Sequence, residues 1–467
     1  MEAFGSFHRT QGHVLSCFRY HGNQFGIYNA SLGDGRGFLY GQLWNEGKVL
    51  VDLTTKGSGT TPYSRGLDGR LSLEGGIREA LIGEALHKLG VPTARVLCLI
   101  ATSDSLEREG ERTRGVVLTR IGGTILRVGS LQALAYEGRR DAIMLIIKYM
   151  LRYVYNDHEE GEGVESGCGH DKNKDDNDKD GNSEAREECI IRFSKEFTHR
   201  LAKLGASWTS VGFVHGVLNT DNIALSGQGI DYGPSKFIPM LDPSFVAASF
   251  DKDGFYSFGK QPCALLSAVV ACQDAIISAA YPSAPPSNDE GEEAHGHIHS
   301  EKLHEILASH VAGFMPQYET ELGALTAQRL GIERGAQSTL DPVLLAQLGK
   351  STLSILQSGC VEHQDFYSTV LKNLAGGAAL KWLVLCPEDI LKDASFSESL
   401  EGLAEAAWRE WRRDYHAVLN ALDMSALHVM QVFAATVEVP APPCGDGLSL
   451  LVAKAVAGYG ATPHREE

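Results

Sequence analysis

The sequence predicts an α+β protein with two lobes, a small β-rich N-terminal lobe and a larger, mostly helical C-terminal lobe. Three observations support this fold class. The chain has 467 residues, which is long for a single hydrophobic core. Residues 1–133 are rich in glycine and contain several short β-like runs. Residues 134–153 have the pattern of an apolar helix, and from about residue 263 the chain is mostly helical. We therefore expect an N-lobe over 1–133, a C-lobe over 134–440 and a C-terminal tail over 441–467.

The secondary structure of the N-lobe follows from local composition. Strands are predicted from runs of Val, Ile, Leu and Thr at Lys48–Thr55, Val96–Ala101 and Val116–Thr119. A helix is predicted over about Leu73–Leu89, because apolar residues recur there with helical spacing and a glycine and a proline follow it.

The C-lobe is predicted to contain helices and two disordered insertions. The helices cover 134–153, Lys302–Leu330 and Ser397–Leu422. The insertions cover 156–188 and 281–300, where the composition is too polar to bury a core.

The charge and hydropathy patterns exclude two classes of partner. Lys plus Arg is 42 and Asp plus Glu is 59, which gives a net charge of −17. Such an acidic chain is poorly suited to bind nucleic acid or an anionic membrane non-specifically. The longest uncharged apolar run, Pro262–Cys272, is about half of the ~20 residues that a membrane span needs. We therefore expect no nucleic-acid partner and no membrane span.

The cysteines indicate a reducing compartment. The chain has nine, which are dispersed and form no C-x-x-C pair. This pattern predicts free thiols and disfavours a disulfide framework or a zinc ribbon.

One lysine and one glutamate suggest a nucleotide site. Lys56 follows the first predicted strand, and Glu79 shares a face of the predicted helix with Ile82 and Leu86. A carboxylate on an apolar face is costly unless it is paired, and Lys56 is a reasonable partner. Protein kinases grip nucleotide phosphates with a strand lysine held by a helix glutamate. The alternative is an exposed Glu79 at the edge of the apolar stripe.

A glycine-bearing turn is a second candidate for phosphate contact. Gly33 and Gly35 precede Arg36. The two glycines would let backbone N–H groups approach an anion, to which Arg36 could also bind. An ordinary hairpin turn explains the same residues equally well.

Basic residues elsewhere in the N-lobe could contribute to the same site. Thr61–Arg65 runs into Asp68–Arg70, and Arg120 and Arg127 follow a predicted strand. These side chains could surround a triphosphate. The alternative is that they are solvated surface arginines.

The segment Phe213–Asn222, followed by Ile230–Gly233, contains the densest set of polar residues. If residues 225 and 230 face each other in a hairpin, then Asn222 and Asp231 are diagonal neighbours, with Cα atoms about 7–8 Å apart. Their oxygens could converge on one Mg²⁺ ion, and Asp221 could accept a proton from an attacking hydroxyl. The set corresponds to the catalytic loop and metal-binding aspartate of kinases. The alternative is an acidic turn beside a hairpin.

Taken in chain order, these motifs resemble the selenoprotein O family of pseudokinase-like protein adenylyltransferases. The resemblance covers about residues 20–265 and extends more faintly to about 420. The matching segments are Tyr20–Gly26, Leu32–Arg36, Lys56–Gly57, Thr61–Arg65, Asp68–Arg70, Ile77–Glu79, Leu89–Thr93, Val211–Asn222, Ile230–Pro234 and Gln261–Pro262.

The resemblance implies a protein-kinase-like bilobal fold that binds ATP in an inverted orientation. The α-phosphate then faces the acceptor, and AMP is transferred to a Ser, Thr or Tyr hydroxyl of a protein substrate. The implied cofactors are ATP and Mg²⁺, with Mn²⁺ as a substitute metal.

The resemblance also implies a role for individual residues. Nucleotide contacts are implied for Gly33, Gly35, Arg36, Lys56, Asp68, Gly69, Arg120, Arg127 and Asp231. Glu79 is the implied partner of Lys56, and Asp221 is the implied base. Asn222 and Asp231 are the implied metal ligands.

The chain departs from the family pattern in ways that keep other functions open. Glu74 reverses a charge in the family's helix entry, and Ala247 replaces a cysteine linked to redox control. The C-terminal cysteine or selenocysteine motif and most of the N-terminal segment are absent from the sequence. The alternatives are a catalytically weak nucleotide-binding scaffold, a γ-phosphate kinase and a uridylyltransferase that uses UTP. The resemblance suggests a mitochondrial location, with the cytoplasm as the alternative.

Overall fold

The computed structural model describes residues 15–46, 49–108, 110–155, 179–280, 290–332, 337, 339–358, 366–367 and 405–422. The chain divides into two compact units. The first consists of Met1–Leu204, Val217–Gly233 and Cys263–Phe314, and the second of Gly205–Gly216, Pro234–Pro262 and Met315–Glu467.

The N-terminal part of the chain is β-rich and is built around an antiparallel five-stranded sheet. Its strands are β3 (Gly37–Trp44), β4 (Leu50–Lys56), β5 (Leu71–Ser72), β6 (Arg95–Arg108) and β7 (Glu111–Gly122). The central strand β7 pairs with β6 along one edge and with β4 and then β5 along the other. Leu71, Val116 and Leu118 form a small buried core on this sheet. The predicted strands at 96–101 and 116–119 are confirmed, and each is longer than predicted.

A separate two-stranded hairpin precedes this sheet. It consists of β1 (Arg19–Gln24) and β2 (Ile27–Gly33). The connecting residues Phe25 and Gly26 both have positive φ, at 49° and 79°. Left-handed conformations at both positions match the right-handed twist of the strands, which explains the tight two-residue turn.

Helix α1 (Leu73–Lys88) carries the predicted glutamate. Its N-terminus is capped by Ser72, whose hydroxyl accepts a hydrogen bond from the Gly75 N–H over 3.2 Å. Its C-terminus closes where Gly90 adopts a φ of 78° and the Val91 N–H donates to the Leu86 carbonyl. The predicted helix and its glycine stop are confirmed.

The C-terminal part of the chain is mostly helical. Its helices are α2 (Val128–Tyr136), α3 (Arg140–Tyr149), α4 (Lys179–Ser210), α5 (Gln261–Ile277), α6 (Glu290–Arg329), α7 (Pro342–Ser358) and α8 (Glu405–Ala421). A π-helical turn (Met150–Val154) extends α3, and short strands β8 (Phe213–Val214) and β9 (Lys236–Phe237) pair with each other.

Three predictions about where helices begin or continue need correction. The single helix expected over 134–153 is broken at Gly138, whose φ of 68° cannot continue a right-handed helix. Helix α4 begins at Lys179 and α6 at Glu290, so each starts inside a segment that was expected to be disordered. Residues 156–178 and 281–289 of those insertions lie outside the described residues.

The second unit has an aromatic core. Trp411 stacks on Trp408 and Tyr415, with ring centroids 5.1 and 5.3 Å apart. The Trp411 indole N–H donates to the Thr352 hydroxyl over 3.0 Å, and the Tyr415 hydroxyl donates to the Leu330 carbonyl over 3.0 Å. These bonds satisfy the polar atoms of the two rings, which lets both be buried.

The expectations of no membrane span and of free thiols can be compared with the described residues. Within the described ranges, no helix combines the length and apolarity needed to cross a membrane. Cys17, Cys98, Cys189, Cys263 and Cys272 are free thiols. The other four cysteines lie outside the described residues.

Candidate active site

A buried ionic cluster in the first unit contains the predicted lysine and glutamate. The Lys56 ammonium, at the end of β4, donates to a carboxylate oxygen of Glu79 on α1. It also donates to Asp231 Oδ1 over 2.6 Å. The Lys56 and Glu79 side chains are only 9% and 5% exposed. The predicted pairing of Lys56 with Glu79 is confirmed, and the alternative of an exposed Glu79 is wrong.

Arg120 joins the cluster from β7. Its guanidinium donates to Asp231 Oδ1 over 2.9 Å and lies 3.8 Å from Glu79 Oε2. The register of the sheet explains this position. Arg120 is paired with Thr54 across the two strands, so their side chains lie on the same face of the sheet. Lys56 comes two residues after Thr54 on β4, and side chains two residues apart on a strand share a face, so Lys56 lies on that face too.

Arg127, the residue immediately before α2, also contributes its side chain to the cluster. Its Nη2 atom lies 3.3 Å from Asp231 Oδ2 and 3.5 Å from Asp34 Oδ1. Its Nη1 atom donates to the main-chain carbonyl of Asp221 over 2.9 Å. The guanidinium also lies over the Tyr20 ring, 4.6 Å from its centroid. Because Arg120 and Arg127 are 14% and 8% exposed, the alternative of solvated surface arginines is wrong for these two. It holds for Arg65, which is exposed.

The carboxylates of the cluster differ in protonation behaviour because their neighbours differ. Burial opposes the ionisation of Asp231, but the charges of Lys56, Arg120 and Arg127 outweigh it and hold the pKa of Asp231 well below its usual range. Burial raises the pKa of Asp34, and the nearby Arg127 only partly offsets this. Asp231 is therefore ionised at neutral pH.

The cluster can bind a polyanion. Three buried cations converge on one carboxylate, and each cation has N–H groups that match phosphate oxygens. Burying this many charges is costly, and such perturbed clusters are common at functional sites, which makes the cluster a candidate site.

Asp221 lies beside this cluster in a 3₁₀ turn (Thr220–Asn222) and is 9% exposed. Its two carboxylate oxygens each lie 3.4 Å from Nε2 of Gln24. Burial raises the pKa of Asp221, and Arg127 partly offsets the effect. A carboxylate with a raised pKa is a stronger base, which suits the proton-accepting role predicted for it.

The hairpin predicted around Asn222 and Asp231, the two predicted metal ligands, is wrong. It required residues 225 and 230 to face each other. Instead, the Leu225 N–H donates to the Leu126 carbonyl over 2.9 Å, and the Gly229 N–H donates to the Pro92 carbonyl over 3.0 Å. The two flanks of the loop thus find backbone partners in two different segments, which sequence alone does not identify.

Asn222 and Asp231 each carry a side-chain oxygen of the kind that a divalent cation prefers, and their joint role as metal ligands stays a prediction. Asn222 donates its amide N–H to the Val217 carbonyl over 3.2 Å, which leaves its side-chain oxygen available as a ligand. Asp231 has a φ of 60°, a strained conformation typical of functional residues. Among the described residues, no group of three or more His, Cys, Asp or Glu side chains is arranged so that it could hold a metal ion by itself. Water and phosphate oxygens would therefore complete the coordination, as is common for Mg²⁺.

The glycine turn packs against a neighbouring loop. A side chain at Gly33 would overlap the Tyr63 ring, and one at Gly35 would lie 3.1 Å from the Tyr63 carbonyl. This packing is a structural reason for the glycines and does not require a ligand. Arg36 is exposed, and its carbonyl accepts a hydrogen bond from Gly57, the residue after Lys56. The nucleotide contacts implied for these three residues stay predictions.

Asp68 and Gly69 lie on a loop, and Asp68 forms an ion pair with a residue that is not part of the Lys56–Glu79–Asp231 cluster. Asp68 pairs with Arg108 over 2.7 Å, and both side chains are more than 40% exposed. Gly69 has a φ of 68° and packs closely on Gly59. Their implied role as nucleotide contacts also stays a prediction.

Sequence reasoning missed three members of the site. Asp34 was hidden because the Gly-Asp-Gly segment was interpreted as a turn, although its side chain faces Arg127. Gln24 and Tyr20 lie in the motif Tyr20–Gly26, which supported the family resemblance but received no chemical role. The signal that could have identified them is polar and aromatic residues on a glycine-bearing hairpin.

Comparison with known proteins gives a consistent result. A family profile described as "Protein adenylyltransferase SelO" matches residues 1–441. Two cyanobacterial proteins named "Protein nucleotidyltransferase YdiU" are similar over most of the chain. The protein from Synechocystis sp. is 36% identical over 434 residues, which cover 91% of this chain and 78% of the relative. The protein from Synechococcus elongatus is 35% identical over 437 residues, which cover 92% and 76% respectively.

Proposed function

Because this chain belongs to the SelO family of nucleotidyltransferases, we propose that it transfers AMP from ATP to Ser, Thr or Tyr hydroxyls of protein substrates. The observation that carries this proposal is the convergence of Lys56, Arg120 and Arg127 on Asp231, beside the buried Asp221. The cations supply a triphosphate site, and Asp221 supplies a base.

The proposed fold is protein-kinase-like. A lysine at the end of a strand, held by a glutamate on the following helix, supports this assignment. The two buried arginines support an inverted triphosphate, because they add positive charge for phosphates that are not reacting.

In the proposed reaction, the acceptor hydroxyl oxygen forms a bond to the α-phosphorus of ATP. The bond between that phosphorus and the bridging oxygen of the pyrophosphate breaks, and the hydroxyl proton passes to Asp221. Lys56, Arg120 and Arg127 hold the triphosphate and stabilise the charge that develops on the leaving pyrophosphate. Asn222 and Asp231 would hold Mg²⁺, which supplies Lewis-acid stabilisation of the same charge when bound.

The proposal is tested by labelling the protein with ATP that carries the label at either the α or the γ phosphate. We expect self-labelling from the α label only, and its fall to a small residual rate in Asp221→Ala and Asp231→Ala. Asp141→Asn is the matched control, because Asp141 is 91% exposed and lies outside the cluster. Labelling from the γ phosphate alone would show a kinase and contradict the proposal.

The same assay separates the alternative functions. Stronger labelling from α-labelled UTP would make the protein a uridylyltransferase. Thermal stabilisation by Mg-ATP without any covalent label would make it a nucleotide-binding scaffold.

A further inference from the structure

The β1–β2 hairpin lies directly against the turn that carries Asp221. A side-chain carbon built on Gly22 would be 2.6 Å from Asp221 Oδ1, so the strand backbone touches the carboxylate. The hairpin is anchored to this turn independently of Asp221. The Asn23 N–H donates to the Thr220 hydroxyl over 2.7 Å, and that hydroxyl donates to Gln132 Oε1 over 2.7 Å.

Gln24 is the polar side chain of the hairpin that meets the carboxylate. Its Nε2 atom is equidistant from the two oxygens of Asp221, at 3.4 Å from each. At this length each contact is weak, so Gln24 contributes little to the attachment of the hairpin. Its position between the two oxygens is instead suited to holding the carboxylate group in one rotation.

The amide of Gln24 is itself oriented by a chain of hydrogen bonds. Asn29 Nδ2 donates to Gln24 Oε1 over 3.2 Å, and the Ser31 N–H donates to Asn29 Oδ1 over 2.9 Å. Each amide oxygen is therefore occupied as an acceptor. The NH₂ group of Gln24 is consequently the end that faces Asp221.

We propose that Gln24 is a positioning residue that fixes the rotation of the Asp221 carboxylate, and that Asn29 sets the orientation of Gln24. The inference depends on the proposed function, in which Asp221 is the base. Arg127 fixes the backbone of Asp221 through its carbonyl, and Gln24 fixes its side chain. Together they hold the carboxylate in one orientation, and proton transfer requires a well-oriented base.

The test is the change Gln24→Met, which keeps an unbranched side chain of similar length and removes the donor. We expect the rate of self-labelling at saturating α-labelled ATP to fall about tenfold, while the KM for ATP stays within twofold. The matched control is Tyr28→Phe. It removes a 2.6 Å contact with His21 in the same hairpin without touching Asp221, and its rate should stay within twofold of the wild type.

A double-mutant cycle distinguishes positioning from a general structural role. In the Asp221→Ala background, Gln24→Met should change the residual rate by less than twofold, because the group that it positions is gone. An equal loss in both backgrounds would overturn the inference, and so would an unchanged rate of Gln24→Met in the wild-type background.

Asn29→Ala provides a second variant if Gln24→Met fails to fold. It should lower the rate about threefold, and combining it with Gln24→Met should give no further loss. If the wild-type protein incorporates no α label, the proposed function fails. If the wild-type protein does incorporate the α label, and the Gln24 and Asn29 variants do so at the wild-type rate, the inference fails and the proposed function stands.

Discussion

Asp231→Asn is the change that most directly tests the ionic cluster. The Asp231 carboxylate is shared by Lys56, Arg120 and Arg127 at 2.6, 2.9 and 3.3 Å. Asparagine removes the charge but keeps the shape and one acceptor oxygen. It also tolerates the φ of 60° at this position, so the backbone strain is unchanged.

The expected loss follows from the burial of the partners. Removing one member of a buried ion pair costs about 3–5 kcal/mol, because the opposite charge stays buried without compensation. Glu79 and Asp34 still neutralise part of the cluster, so we expect about 3 kcal/mol, at the lower end of this range. For a unit of this size, that corresponds to a fall in Tm of about 6–12 °C.

Thermal unfolding of the ligand-free protein measures this loss, and Asp141→Asn serves as the control. Asp141 pairs with Arg186 over 3.1 Å but is 91% exposed, so its loss should lower the free energy of unfolding by less than about 1 kcal/mol. A fall for Asp231→Asn no larger than that of the control would refute the view that the cluster is a strongly coupled buried network.

The pH dependence of the same difference has a defined sign. The folded-state pKa of Asp231 is lowered, so its contribution to stability is present above the unfolded-state pKa of about 3.9. It is lost as the pH falls through the lowered folded-state value. The difference in Tm between the wild type and Asp231→Asn should therefore be constant at neutral pH and shrink below about pH 4. A difference that widens on acidification would contradict the assignment.

Three further changes test other parts of the structure. In Gly22→Ala, the added methyl group would lie 2.6 Å from Asp221 Oδ1, so α-label transfer should fall at least about tenfold with little change in Tm. Gly33→Ala would overlap the Tyr63 ring and should lower the free energy of unfolding by about 1–3 kcal/mol, measured by urea titration. Trp411→Ala should lower it by about 3–5 kcal/mol in the second unit, whereas Trp44→Ala, at a 60% exposed position, should have little effect.

Much of the N-terminal architecture was predictable because local signals dominate it. The apolar spacing of α1 and the glycine after it are short-range features, and both lie where the sequence analysis places them. The limits of α4 and α6 were not predictable in the same way. Their first turns are polar and carry no apolar spacing, so composition suggests disorder where the structure continues a helix.

The pairing of Lys56 with Glu79 was predictable because burial of a charge requires a partner. The apolar residues that share a helix face with Glu79 are visible in the sequence, and they indicate that its carboxylate will be buried and will need a cation. The contacts of Asp34 and Gln24 were not predictable, because they depend on how the hairpin lies against distant segments. The incorrect hairpin around residue 225 failed for the same reason, since its flanks pair with residues about 100 and 140 positions away along the chain.

The charge balance of the cluster connects its stability to its proposed activity. Lys56, Arg120 and Arg127 carry three positive charges, and Glu79, Asp231 and Asp34 can carry three negative charges. Without a ligand the cluster is thus close to neutral, which makes its burial tolerable. A triphosphate would compete with the Asp231 carboxylate for the same three cations. This competition would be relieved if the carboxylate bound a divalent cation that accompanies the nucleotide. The carboxylate that pairs with the three cations is then the one that would hold the metal, so nucleotide and metal binding should depend on each other.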